Sequence, residues 1–357
     1  MNEDGAAHSP KRPSLWVRLA LLLFGLTLSA GTAEILLRIV GPSAEPWAKP
    51  VDEDARDLPV FKDLWDITKP NLRGQFKGRL YTSNSAGFRG PEVVIAKPAG
   101  TFRILLLGDS FTNGQGVRYE ESYSALLSAA LNSSGDSRRY EVLNLGIGGF
   151  NLWSSVHRLK LDGLKFNPDL VIYGYTANDI EGRAYRNSRN QGRPDWMTPS
   201  RLLNLLGSQW DYLRDIFRPA KGSYTWELDD NYFRNPPAWK AWQDDLTELN
   251  QIAGRRGFCL GMFLHTELRA LHSLHTFRHY YEAVRTEAKR QGVPVLETFR
   301  YFEGRRAEDL WVDYFDHHPN AEGHRILTRA LLDGLAALPA DCWKGPRPIA
   351  LPTNPSE

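Results

Sequence analysis

The chain has 357 residues, 42% hydrophobic and 24% charged, values near the globular average that exclude a collagen-like, coiled-coil or disordered chain as a whole. Its 44 Lys and Arg against 42 Asp and Glu give a net charge of +2, with no basic block beyond short pairs, which removes nucleic acid as a partner. Two cysteines, Cys259 and Cys342, are too few and too widely spaced for a disulfide scaffold or a thiolate metal site.

Residues 1–14 read as a polar arm. Residues 15–40 follow, in which Leu19 to Ala33 is uncharged and almost wholly apolar, preceded by Lys11, Arg12 and Arg18. Leu15–Val17 extend the run on one side and Ile35–Val40 on the other, so a single-pass helix is one reading. A cleaved signal segment is the other, because Ser29, Ala30, Gly31, Thr32 and Ala33 are the small residues a signal peptidase needs. The helical pattern runs through Ala33 without a turn signal, which favours an anchor. Both readings place the remainder outside the cytoplasm, since the positive charge precedes the helix. An oxidising compartment would permit a Cys259–Cys342 bridge, although Cys259 lies in an apolar run and serves equally as a buried small hydrophobe.

A Pro-containing linker over 41–59 leads to a domain over 60–338, opening on an irregular stretch. Short β-rich runs then alternate with helix-period segments: Phe102–Leu107, Tyr140–Asn144, Leu170–Tyr175, Phe258–Phe263 and Val293–Leu296 against Glu120–Leu131, Leu152–Leu164, Trp239–Ile252, Phe277–Lys289 and Ala321–Leu338. That rhythm predicts an α/β fold with five parallel strands covered on both faces. Residues 180–237 break it. They are Arg-, Asn- and aromatic-rich, with Trp196, Trp210 and Trp226, and too long for a plain loop, so they read as an inserted cap that either shapes a substrate pocket or only packs. A Pro-rich tail over 339–357 reads as mobile.

The chemistry collects at the predicted strand ends. Phe102–Leu107 runs into Gly108-Asp109-Ser110, which puts a serine at a strand's C-terminal end, where ligands bind in open α/β sheets. The second strand ends in Asn144-Leu145-Gly146-Ile147-Gly148-Gly149, whose glycines allow a tight turn with bare backbone N–H groups. The third ends in Thr176-Ala177-Asn178-Asp179, with an amide able to donate to developing negative charge. Asp313-Tyr314-Phe315-Asp316-His317-His318-Pro319-Asn320 sets carboxylates and imidazoles before the last helix. A nucleophilic serine needs an imidazole to take its proton, a carboxylate to hold the imidazole, and donors for the oxyanion; all four parts are present.

These four segments resemble the blocks of the SGNH/GDSL hydrolase family, over residues 101–338. The resemblance implies a flavodoxin-like three-layer sandwich, Ser110 as nucleophile, His318 as base, and Ser110, Gly149 and Asn178 as oxyanion donors. The family's aspartate stands three residues before its histidine, where this chain has Phe315. Asp316 is favoured as the acid over Asp313, because a short strand-to-helix turn absorbs a one-residue shift more easily than three; His317 is a minor alternative base. Asp109 reads as a turn-holding carboxylate. Asn84-Ser85-Ala86-Gly87-Phe88-Arg89-Gly90 also resembles a segment of exported members and reads as packing at the site's rim.

The function this implies is an exported serine esterase that cleaves acyl or acetyl esters of a small molecule, lipid or glycan without cofactor or metal, the membrane being its other partner through residues 15–40. Alternatives are an O-acetyltransferase acting on an envelope polysaccharide and a catalytically silent glycan-binding scaffold. His265, His272, His275 and His279 offer a metal reading, with His272, His275 and His279 on one helical face, but no carboxylate or cysteine accompanies them in a metal-binding spacing, and they read as polar face and pocket lining.

Overall fold

The computed structural model describes residues 14–39, 58–61, 66–181, 200–217, 221, 223–269, 271, 277–313 and 316–345. Most of the predicted arm and linker, Trp196, His272, His275, Phe315 and residues 346–357 of the tail lie outside the described residues.

Helix α1 (Leu15–Ile39) is apolar throughout its middle and buries none of its residues, and it is long and apolar enough to cross a membrane. A small sheet follows, of β1 (Val60–Phe61), β2 (Arg73–Phe76) and β3 (Arg79–Thr82), β1 parallel and β3 antiparallel to β2. This stretch was expected to be irregular; strands of two to four residues carry too little pattern to be read from sequence.

The central sheet consists of β4 (Thr101–Gly108), β5 (Arg139–Asn144), β6 (Leu170–Tyr175), β7 (Cys259–Leu264) and β8 (Val295–Glu297), all parallel, in the order β5-β4-β6-β7-β8. Alternation along β4 builds the layers. Ile104 and Leu106 face one core with α3 (Tyr123–Asn132), α9 (Phe299–Phe302) and α10 (Ala321–Ala337), while Leu105 and Leu107 face the other with α4 (Leu152–Arg158), α7 (Pro236–Arg256) and α8 (Arg278–Arg290). The expected three-layer α/β sandwich and its five strands are therefore present, with ends shifted by one or two residues. The predicted single helix over 152–164 loosens after Arg158 into a π-turn over 159–163 and a 3₁₀ turn over 164–166.

The tail departs from expectation at its start. Ala340–Trp343 forms a 3₁₀ turn that buries Cys342 and Trp343 in the core beside α10, and Cys342 is disulfide-bonded to Cys259 at the start of β7. Trp343 stacks on Phe102, a hydrophobic anchor that holds the segment. The bond closes a separation of 83 residues, so replacing both cysteines with serine lowers the unfolding free energy by about 2–4 kcal/mol. Reductant brings the native midpoint down to that of the variant and leaves the variant unmoved; equal midpoints with and without reductant contradict this.

The described part of the insert faces two ways. Helix α5 (Arg201–Phe217) packs on α1, whereas α6 (Tyr224–Asp229) and the π-turn after it pack on the domain, with Leu228 and Tyr232 in its core. The Tyr232 hydroxyl donates to the Ala177 carbonyl at 3.0 Å, tying the insert to the 3₁₀ turn over 177–180.

Candidate active site

Strand β4 turns directly into a four-residue helix, α2 (Ser110–Asn113). Gly108 makes the turn at φ +146, and a Cβ there would lie 2.6 Å from the Gly174 carbonyl on β6, so no other residue fits. Asp109 caps α2, its Oδ1 accepting from the Phe111 N–H at 3.0 Å. Ser110 is thereby the first helical residue, with its N–H among the donors that have no partner within the helix. Arg89 is buried behind α2, where its guanidinium donates to the carbonyls of Asn113, Gly114 and Val117. Through Arg89 the Asn84–Gly90 segment thus packs on the serine's helix.

The segment before α10 is a hairpin of β9 (Trp311–Asp313) and β10 (Asp316–Pro319), not a plain turn. It brings His318 Nε2 to 2.7 Å from Ser110 Oγ. His318 Nδ1 is hydrogen-bonded to Asp316 Oδ1, so Nδ1 carries the proton and Nε2 is free to accept one. Asp313 supports the turn instead, its Oδ1 accepting from the Asp316 N–H at 2.9 Å. His317 turns away and stacks on Trp311 at 4.0 Å. Asn320 caps α10 through the N–H groups of Glu322 and Gly323.

Two contacts to this group were not legible beforehand. Lys77, in the two-residue turn between β2 and β3, places Nζ 2.7 Å from Asp316 Oδ2. The Gln115 amide lies over the His318 ring, 3.0 Å from Nδ1 and 3.3 Å from Nε2. Burial acts to raise the Asp316 pKa, but the charges and hydrogen bonds of His318 and Lys77 outweigh it and hold the carboxyl well below the usual range. Lys77 holds a left-handed φ of +50, a place normally taken by Asn or Gly.

The oxyanion candidates come from the flanking strands. Gly149 stands in the turn after β5 at φ +77, and that turn is held to β4 by the Ile147 N–H donating to the Gly108 carbonyl at 3.1 Å. Asn178 lies in the 3₁₀ turn after β6; its Oδ1 accepts from the Thr176 hydroxyl at 3.0 Å, which leaves Nδ2 as its donating end.

Thr176 is the junction of a buried network. Its Oγ1 also lies 2.8 Å from Asp109 Oδ2 and 3.2 Å from Asp179 Oδ1, while the Tyr173 hydroxyl donates to Asp179 Oδ2 at 2.6 Å. One hydroxyl hydrogen cannot serve three acceptors, so a carboxyl proton is needed. Burial pushes the Asp109 carboxyl up, and burial together with the charge of Asp109 pushes Asp179 well up. A carboxyl raised on folding contributes its full stability below its unfolded pKa, near 4, and loses it as pH rises through the folded value. Asp179→Asn keeps the acceptor for Tyr173 and offers an N–H to Thr176, so its stability advantage over the native chain grows from about pH 4 to about pH 7. A denaturant-titration difference that stays constant over that range contradicts the buried-proton account.

Of the four metal-reading histidines, His265 is wholly buried against Phe111 and Phe263, and burial pushes it down to about 3. His279 is half exposed, 3.6 Å from Asp229. Among the described residues no group of three His, Cys, Asp or Glu could hold a metal ion.

Several solved structures are similar. They include the acetyl xylan esterase AlAXEase, 16% identical over 66% of this chain and 100% of that one, with a TM-score of 0.41. An acetylxylan esterase from Geobacillus stearothermophilus is 17% identical over 65% of this chain and 93% of that one, TM-score 0.42, and TesA is 16% identical over 65% and 97%, TM-score 0.42. No curated protein matches the chain. The model of the GDSL-like Lipase/Acylhydrolase family matches residues 106–326, from the end of β4 into α10, a span that includes Ser110, Gly149, Asn178, Asp316 and His318. The chain belongs to the GDSL-like lipase/acylhydrolase family.

Proposed function

We propose that the protein is a serine esterase that cleaves acyl esters through an acyl-Ser110 intermediate, with His318 as general base, Asp316 as its orienting acid, and the Ser110 and Gly149 N–H groups and Asn178 Nδ2 as oxyanion donors. The observation that carries this reading is the unbroken chain from Ser110 Oγ to His318 Nε2 and from His318 Nδ1 to Asp316. Ser110 Oγ bonds to the acyl carbon while Nε2 takes its proton. The carbonyl π electrons collect on the oxyanion and return as the alcohol leaves with that proton. Water then repeats the sequence on the acyl-serine, giving its proton to His318 and releasing the carboxylic acid, and the proton passes back to Ser110 Oγ. Three strand ends supply the oxyanion donors, so they are fixed before charge develops.

The domain works outside the cytoplasm, anchored by α1. Lys11, Arg12 and Arg18 before the apolar run support that orientation, and the Cys259–Cys342 bond suits an oxidising compartment. The bonds from α1 to α5 support retention of the helix over cleavage, since a discarded signal has no use for them.

The test is hydrolysis of p-nitrophenyl acetate, butyrate and octanoate by the full chain in mild detergent. Turnover absent from Ser110→Ala supports the reading, and the preferred chain length reports the acyl group. No turnover above Ser110→Ala on any ester, from a folded preparation, overturns it in favour of a silent binding protein or a transferase that needs its acceptor.

A further inference from the structure

Helix α5 carries an apolar stripe that the fold leaves uncovered. Leu206, Trp210 and Leu213 are 56%, 68% and 46% exposed, and their spacing of four and three residues puts them on one side of the helix. Arg201 and Asn204 occupy the opposite side by helical position. An exposed Trp and two Leu in line on one side of the helix mark an interaction surface.

What covers that stripe follows from how α5 is mounted. The Glu34 carboxylate of α1 accepts from the Ser200 hydroxyl at 2.9 Å, the Arg201 N–H at 3.1 Å and the Leu202 N–H at 2.9 Å. It serves as the N-terminal cap of α5, and Arg201 returns a hydrogen bond to the Leu37 carbonyl at 2.8 Å. Only Ala33, Glu34 and Leu37 of α1 are partly covered, and the rest of the helix, including Ile35, Leu36 and Ile39, stands exposed. Glu34 is the first charged residue after the uncharged run Leu19–Ala33, so a bilayer spanned by α1 ends near it, and α5 begins at that level.

From this mounting we infer that α5 lies in the headgroup layer of the membrane that α1 spans, with Leu206, Trp210 and Leu213 against lipid. The inference rests on the reading of α1 as an anchor. A Trp and Leu face on a short amphipathic helix suits that depth. The sequence of residues 201–217 holds two arginines and two aspartates, so its net charge is zero and the contact needs no anionic lipid. Helix α6, next in the chain, packs on the 3₁₀ turn that carries Asn178, so the lipid contact fixes the height of the site above the bilayer.

The test uses the full chain in vesicles of phosphatidylcholine and phosphatidylglycerol, labelled with a nitrobenzoxadiazole fluorophore at Leu206→Cys or, separately, Trp210→Cys. The native cysteines are disulfide-bonded and do not compete for label. Leu26→Cys in α1 and the exposed Lys240→Cys on α7 serve as deep and aqueous references. The expected result is a blue shift at both α5 positions, with quenching several-fold stronger by a nitroxide near the headgroup than by one at the acyl terminus, the reverse at Leu26, and none at Lys240. Removing phosphatidylglycerol leaves the α5 quenching unchanged. Unquenched α5 labels beside a quenched Leu26 label overturn the inference and leave the anchor standing, and a blue shift without quenching does the same by assigning the stripe to a protein partner. An unquenched Leu26 label overturns the anchor itself.

Discussion

Ser110→Ala and His318→Ala each lower kcat for p-nitrophenyl acetate by about 10⁴- to 10⁶-fold, and the double variant is no slower than either single one. The two side chains share one hydrogen bond of 2.7 Å and one proton, so removing either leaves the other without a partner in the reaction. The residual rate comes from the oxyanion donors, which neither substitution touches. Losses that multiply in the double variant mean that the two residues act separately, which contradicts a shared proton transfer.

Asp316→Asn slows the same reaction by about 10³- to 10⁴-fold, whereas Asp313→Asn costs less than about tenfold. Asparagine at 316 presents an amide to the histidine and favours the wrong tautomer, while asparagine at 313 still accepts from the Asp316 N–H. Lys77→Met belongs to the same group. It removes a charge-assisted hydrogen bond worth about 1.5–3 kcal/mol, a slowing of about 10- to 100-fold if all of it acts in the transition state. Without Lys77 the Asp316 carboxyl loses part of what holds it low, and Lys77→Arg restores the rate. Comparable losses in Asp313→Asn and Asp316→Asn contradict the assignment of the acid.

The strand ends that hold Ser110, Gly149 and Asn178 were legible because each follows a short β-rich run, buried almost throughout in β4 and β6 and over its last three residues in the edge strand β5, and strands of that kind leave a plain mark in sequence. The one-residue displacement of Asp316 was legible too, but not its consequence, since the β9–β10 pairing is only three or four residues long on each side. Lys77 and Gln115 were illegible for a different reason. Lys77 meets Asp316 across 239 residues of sequence and Gln115 meets His318 across 203, and contacts of that range leave no periodicity behind. The insert was recognisable as an interruption of the α/β rhythm, yet nothing local to residues 200–217 disclosed that their partner is Glu34, in a helix that sequence alone equally allows to be cleaved away.

The central claim is a covalent acyl group on Ser110, and the most direct measurement is intact mass and peptide mapping of the full chain after reaction with a fluorophosphonate. The account predicts one adduct, on the peptide containing Gly108-Asp109-Ser110, absent from Ser110→Ala and strongly slowed in His318→Ala. An adduct on another residue, or labelling of Ser110 at the same rate without His318, contradicts it.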